Sequence, residues 1–332
     1  MNFGYVPSNR DSRDFMYGQF KATDTLPSRW IPDTSKLVIN KQVYGNCVGQ
    51  SARTIKVLQE RMDGGANVEF SPDFVYNECK KRDGLLNEEG TQPKIAMQVL
   101  KDLGAALLAD YPALPKHSPN IAPSAKAYKT AKDYSINAYA KVQVVSEIKA
   151  ALYNEGPVMF GSTIWGNFYD NTDGYIDVPR GNLLGGHAYT VYGYDDTMTH
   201  KYPDGRVEKG FFLVSNSWGT SWGDNGKGYL PYSLIDYKLD LGIRFLDEAW
   251  SSMDVRIHDY VNPEVPVADE EVQKISMWVG RNKVIINGIE TTITAPPVIL
   301  NGNTLAPVRF IAEQSGFKVS FDSSEKRIDL EK

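Results

Sequence analysis

A thiol, an imidazole and a carboxamide carry the chemistry open to this chain, and they come from a small stock: 332 residues hold two cysteines and four histidines. Cys47 lies in Tyr44-Gly45-Asn46-Cys47-Val48-Gly49-Gln50-Ser51-Ala52. Behind it Val48, Ala52, Ile55, Leu58 and Met62 recur at the spacing of one helical face, up to Gly64-Gly65. The pattern predicts a helix that opens at Cys47 with Asn46 as its cap. There the unpaired backbone N–H groups and the positive end of the helix dipole favour thiolate over thiol. His187 sits in the alternating, strand-like run Gly185 to Tyr194, and Asn216 follows the strand-like Phe211-Phe212-Leu213-Val214. A thiolate can attack a carbonyl to form a thioester, and an imidazolium can stabilise the thiolate and protonate a leaving amine. A carboxamide that accepts from one ring nitrogen leaves the other facing sulfur.

The segment Asn216-Ser217-Trp218-Gly219-Thr220-Ser221-Trp222-Gly223 resembles the asparagine arm of papain-type cysteine proteases, and the run around His187 resembles the histidine strand of the same family. From Cys47 to His187 is 187 − 47 = 140 residues, inside the roughly 130–150 of the papain group. Asn216 lies 216 − 47 = 169 residues on; the polar stretch Asp195 to Lys209, with its turn signal Tyr202-Pro203-Asp204-Gly205, accounts for the excess as a lengthened hairpin. The resemblance implies that Cys47, His187 and Asn216 are catalytic and that Trp218 shields the His–Asn bond. It further implies that Gln42 supplies an oxyanion-hole donor and that Gly90, Thr91 and Gly186 line the substrate cleft beside Trp218. Gly90 and Thr91 also read as a plain turn before a helix.

Three features depart from the family. Gln42 stands five residues before Cys47 where the usual spacing is six, so the loop is shorter or the donor differs. Val48 replaces the aromatic residue common after the nucleophile. Only Cys79 is present to pair with Cys47, where secreted relatives use several disulfides; the domain is expected to fold without any, a Cys47–Cys79 bridge being the alternative. Cys79 reads as a packed helix residue, and His117, His200 and His258 as solvated surface.

The resemblance implies an α+β, papain-like two-lobed fold over residues 1–255, with the thiol from a helical lobe, His187 and Asn216 from a β-barrel-like lobe, and substrate in the groove between. Ser71 reads as the cap of a helix after Phe70, residues 93–104 as an amphipathic helix, and Ser146 as the cap of a helix stopped by Gly156-Pro157. Residues 1–46 read as irregular. Asp11-Ser12-Arg13-Asp14 resembles the leader of papain relatives with little prosegment, and the segment is too short for a folded inhibitory one, so no zymogen step is expected.

Residues 256–273, rich in proline and carboxylates, read as a linker. Residues 274–332 form a hairpin-rich α+β domain, with Asn287-Gly288 and Asn301-Gly302 as turns and a short helix from Pro307 to Ser315. The string Pro296 to Glu313 resembles the small domain named after the amino-terminal part of copper amine oxidases, common in surface proteins of Gram-positive bacteria. Copper does not follow, because 274–332 contains no histidine or cysteine. The domain is read as non-catalytic, an attachment module for a cell envelope or virion.

A net charge of −5, with scattered basic residues, argues against nucleic-acid binding, and no apolar stretch is long enough to span a membrane. The amino terminus shows no export signal while the last domain points to a cell-surface, extracellular or phage-associated setting, which leaves the location open. The residues point to a cysteine endopeptidase acting on polypeptides with no cofactor and no metal. The alternatives are a peptide-binding or structural envelope or virion component on the same fold, and a thiol amidase or transpeptidase acting on cell-wall peptides.

Overall fold

The computed structural model describes residues 3–9, 11, 14–19, 26–64, 67–239 and 244–253, and beyond these the backbone of seven strands between 275 and 331. Residues 1–260 and 261–332 form two separate units.

In the first unit, α1 (Cys47–Met62), α2 (Pro72–Asp83), α3 (Pro93–Asp102) and α4 (Ala125–Lys132) make a helical lobe. Helix α1 starts at Cys47 as its periodicity predicts, but it is not one-faced: every residue except Arg61 is buried. It lies between the other helices and the sheet, so its polar side chains need internal partners. Arg53 donates to the Val38 carbonyl at 2.8 Å and pairs with Glu69; Lys56 meets Glu60 at 3.2 Å; Gln59 donates to Ser252 Oγ at 3.0 Å. Ser71 caps α2, accepting from the Phe74 N–H at 3.1 Å, and Gly84 ends it at φ 74°. Cys79 is buried in α2, and both cysteines are free, which removes the Cys47–Cys79 bridge.

The other lobe is an antiparallel sheet of β1 (Arg29–Trp30), β2 (Ala138–Lys141), β3 (Val158–Trp165), β4 (Leu183–Lys201), β5 (Val207–Ser215), β6 (Lys227–Pro231) and β7 (Leu246–Met253). Its order is β2-β7-β3-β4-β5-β6, with β1 on β4. The amino-terminal region is thus not wholly irregular: Arg29 and Trp30 pair with Asp195 and Tyr194. The β4–β5 hairpin runs out to Lys201 opposite Val207, the predicted extension. Helix α5 (Val145–Glu155) begins one residue before the expected cap Ser146; Glu147 instead accepts from the Gln143 N–H at 2.8 Å, and Gly156 at φ 96° ends the helix.

Each lobe has its own core: Val48, Ile55, Phe70, Phe74, Met97 and Leu100 in one, Phe160, Val191, Phe212, Val214 and Leu234 in the other. Helix α1 meets β4 through Ser51 Oγ and Thr190 Oγ1, 2.8 Å apart, and this seam fixes the thiol relative to the histidine strand.

In the second unit, β8 (Ile275–Trp278), β9 (Lys283–Ile286), β10 (Ile289–Thr292), β13 (Lys318–Asp322) and β14 (Arg327–Glu331) form a sheet in the order β10-β9-β8-β14-β13, and β11 (Val298–Leu300) pairs with β12 (Asn303–Leu305). Both Asn-Gly dipeptides fall between paired strands, Ile286 opposite Ile289 and Leu300 opposite Asn303. The expected linker and the helix from Pro307 to Ser315 lie outside the described residues.

Candidate active site

Asn46 does not cap α1 with its side chain. Its Nδ2 donates to Asp73 Oδ1 at 2.8 Å, which leaves the first-turn N–H groups of α1 to the thiol: those of Cys47 and Val48 both lower its pKa. From the sheet side the Ala188 N–H donates to Cys47 Sγ at 3.4 Å, so the residue after His187 touches the sulfur.

Asn216 Oδ1 accepts from the Ser217 N–H at 2.7 Å and pairs with His187 Nε2 at 2.8 Å. A backbone amide can only donate, so the oxygen end of the carboxamide faces both groups, and Nε2 must carry its proton. His187 Nδ1 is then the basic nitrogen, and it is buried without a hydrogen-bond partner. Trp218 stacks on the imidazole, ring centroids 4.4 Å apart and planes 26° from parallel, which keeps water off the His–Asn bond.

Thiol and imidazole are both fully buried, and the chain's own amino-terminal segment lies against the thiol. Residues 3–6 form an extended strap. Tyr5 bridges Thr91 in the parallel sense: the Thr91 N–H donates to the Gly4 carbonyl at 2.9 Å and the Val6 N–H to the Thr91 carbonyl at 3.0 Å. The Tyr5 N–H donates to the Gly186 carbonyl at 3.2 Å, and Phe3 packs edge-on against Trp218 with centroids 6.1 Å apart. Gly4 sits at the sulfur and lends it a backbone N–H. Only glycine fits there, since a Cβ would stand 1.9 Å from the Gly45 carbonyl oxygen. No folded prosegment lies over the site among the described residues; what meets the thiol there is this short segment, held by backbone hydrogen bonds to Thr91 and Gly186.

Burial pushes the Cys47 thiol up to about 11 despite the N–H groups around it, and takes His187 down to about 4 despite the Asn216 hydrogen bond. Beneath the strap the pair is therefore neutral thiol and neutral imidazole.

The expected cleft residues divide by role. Thr91 and Gly186 offer the backbone groups that the strap uses, whereas Gly90 is tied inward: its N–H donates to Tyr76 Oη at 3.1 Å and its carbonyl accepts from Lys80 Nζ at 2.7 Å. Lys80 pairs with Asp83 at 3.0 Å, both side chains wholly buried, and Asp83 accepts from Thr91 Oγ1 at 2.8 Å, so a buried ion pair on α2 holds this edge in place. Gln42 lies on the site wall beside Ser217, its N–H donating to the Ser217 carbonyl at 2.8 Å and its Oε1 accepting from Ser217 Oγ at 2.6 Å. Its Nε2 donates to the Tyr44 carbonyl at 3.1 Å in this covered state.

Sequence reasoning missed Ser217, Asp73, the Lys80–Asp83 pair and the strap. The one available signal was a glycine between two aromatics, Phe3-Gly4-Tyr5. Two histidines read as solvated are engaged instead. His117 Nε2 donates to the Leu86 carbonyl at 3.0 Å and Nδ1 faces Tyr76 Oη at 2.9 Å, while His200 stacks on Tyr175 with centroids 3.6 Å apart. His258 lies outside the described residues.

Residues 38–234 match the family described as papain family cysteine protease. The chain belongs to that family. It is a cysteine peptidase, a hydrolase of polypeptides, and its α+β fold is papain-like. Xylellain, a cysteine protease from Xylella fastidiosa, superposes with a TM-score of 0.64 at 25% identity over 76% of this chain and 96% of that one. The procathepsin B of Trypanosoma congolense shares the fold, with a TM-score of 0.57 at 17% identity over 76% and 85% of the two chains. A peptidase C1-like protein of Acanthamoeba polyphaga mimivirus is 23% identical over 269 residues, 70% of this chain and 82% of its own length. The gut-specific cysteine proteinase of Caenorhabditis elegans is 32% identical over 100 residues, 30% of this chain but only 28% of that protein. Residues 252–330 match the family described as copper amine oxidase N-terminal domain. That stretch has one histidine, His258, and no cysteine, a donor set that does not fit copper. No helix among the described residues is long and apolar enough to cross a membrane.

Proposed function

We propose that this papain-family chain is an endopeptidase that cuts through a thioester on Cys47, and that it is latent while residues 3–6 cover the thiol. The observation that carries the mechanism is the double acceptance at Asn216 Oδ1, because it forces the proton onto His187 Nε2 and leaves Nδ1 as the base. With the strap displaced, water reaches the site and the desolvation that holds both groups neutral is relieved. The imidazole then takes the thiol proton, and the α1 N-terminus steadies the thiolate. Attack on a peptide carbonyl gives a tetrahedral oxyanion, for which the Cys47 N–H and the Gln42 amide are the donors; Gln42 exchanges its Tyr44 contact for the oxyanion. Collapse expels the amine, protonated by His187, and water then cleaves the thioester.

Asn216→Ala and Gln42→Ala in the full chain, assayed on denatured casein, check these roles. Each is expected to lower kcat by about 10²-fold with little change in KM, the size of effect found for orienting and oxyanion groups. A change confined to KM in either variant would contradict its role.

We assign the peptidase to residues 1–255 and read 256–273 as a linker to a non-catalytic attachment module, 274–332. Co-sedimentation of the full chain with purified cell-wall sacculi checks the attachment; a chain left wholly in the supernatant would contradict it.

A further inference from the structure

The turn from Gln42 to Cys47 carries the two oxyanion donors at its ends, and it is held without a disulfide, since both cysteines are free. The Gln42 N–H donates to the Ser217 carbonyl at 2.8 Å and the Gly45 N–H to Glu89 Oε2 at 2.8 Å. Between them the Tyr44 carbonyl accepts from the Asn46 N–H at 2.8 Å and from Gln42 Nε2 at 3.1 Å, so the place of this one carbonyl sets where the Gln42 amide rests. Tyr44 is buried, its ring edge-on to Tyr76 with centroids 5.5 Å apart, and its hydroxyl donates to Asp73 Oδ1. Burial, and then the Asp73 charge, hold that phenol well above its ordinary range, so it stays a donor.

Asp73 is a buried carboxylate in the first turn of α2, where the helix N-terminus favours negative charge. Three donors meet it: the Tyr44 hydroxyl and Asn46 Nδ2 at Oδ1, the latter at 2.8 Å, and the Leu114 N–H at Oδ2, 2.7 Å away. A carboxamide in its place could not accept from all three, because its nitrogen end would face a donor. Asp73 thus ties the residues on either side of Gly45 to one point on α2, and the turn cannot shift without breaking both bonds. Resting on the peptidase reading above, we propose that Asp73 is a positioning residue for the reaction: through Tyr44 and Asn46 it fixes the turn so that the Gln42 amide and the Cys47 N–H converge on one oxygen. Its contribution falls on the transition state, where that oxygen gains charge, and not on the binding of substrate.

The test is made in the full-length Gly4→Val chain, whose added Cβ would collide with the Gly45 carbonyl oxygen and keep residues 3–6 off the thiol. Tyr44→Phe deletes the hydroxyl and leaves Asn46 and Leu114 on Asp73, so it is the milder change, and Asp73→Asn the stronger. On a fluorogenic peptide kcat should fall about tenfold in the first and about 10²-fold in the second, with KM within about threefold. The double variant should lie no more than about threefold below Asp73→Asn, because the Tyr44 hydroxyl acts through that carboxylate. Two probes of Cys47 separate positioning from a general loss of structure. A peptide aldehyde, whose adduct places an oxygen in the oxyanion position, should bind Tyr44→Phe about tenfold more weakly. Iodoacetamide, whose reaction forms no oxyanion, should alkylate that variant within about threefold of the parent rate. Alkylation that falls as far as kcat, a loss confined to KM, or a kcat in Tyr44→Phe within about twofold of the parent would overturn the role of Asp73 but not the peptidase. A Gly4→Val parent that cleaves no peptide while its thiol alkylates would overturn both. Should Asp73→Asn fail to fold, Tyr44→Phe decides alone.

Discussion

Replacing Cys47 by alanine is expected to lower kcat/KM on a denatured protein by about 10⁴-fold or more, the loss typical of removing a nucleophile that acts as a unit with its base. No other group in the site can take its place. His187 and Asn216 can polarise water, but without sulfur at the start of α1 there is no acyl carrier and no thioester. His187→Ala should cost a similar factor, and the double variant should be scarcely worse than either alone, since each removes the same step. Stability separates this from collapse of the fold. Cys47 is wholly buried, but truncation removes a single atom, so the thermal midpoint should fall by only a few degrees. Calorimetry beside the kinetics checks both.

The second large effect concerns the strap. Gly4→Val cannot seat residues 3–6, because its Cβ would collide with the Gly45 carbonyl oxygen. With the thiol held at about 11 the covered chain carries on the order of one thiolate in 10⁴ at pH 7. An uncovered thiol at or below the ordinary value near 8.5 carries at least about 3%. Alkylation of Cys47 by iodoacetamide at pH 7 should therefore rise by at least about 10²-fold in Gly4→Val, before any contribution from His187. Unchanged alkylation would show that the strap does not control the thiol.

The same shifts give the strap a pH dependence. His187 is held near 4 when covered, below its ordinary value of about 6.5, so the covered form binds fewer protons than the open one. Closure is favoured above that range and weakens as pH falls through it. Cys47 is held high, so the covered form binds more protons there, and closure weakens as pH rises past the open-state thiol value toward 11. The strap is tightest near neutrality and loosens toward acid. Proteolytic susceptibility of residues 3–9 should accordingly be lowest near neutrality and rise in acid once the open-state thiolate is protonated as well; a susceptibility that falls toward acid would contradict the linkage.

Much of this was legible in the sequence, for identifiable reasons. The start of α1 showed because a thiol preceded a helical apolar period, and the long β4–β5 hairpin because a polar insert carried a turn signal between two apolar runs. Ser71 was readable as a cap because capping is local, and the two Asn-Gly turns for the same reason. What failed was long-range. Nothing near Asn46 says that its amide is drawn to Asp73, which frees the first helical turn for the thiol. The all-round burial of α1 follows from what packs around it, not from its own pattern. His117 was read as solvated from its proline-rich surroundings, while its partners Tyr76 and Leu86 lie 41 and 31 residues away. The strap escaped because four extended residues have no periodicity, and their meaning lies in the edges that they meet at Thr91 and Gly186.

The most direct measurement is the intact mass of the Gly4→Val chain, quenched in acid during turnover of an activated ester of a short peptide. The expected result is an added acyl mass, mapped to Cys47, removed by neutral hydroxylamine and absent from the Gly4→Val, Cys47→Ala double variant. Turnover of the ester at an undiminished rate in that double variant, or an acyl group mapped to any other residue, would contradict the thioester on Cys47.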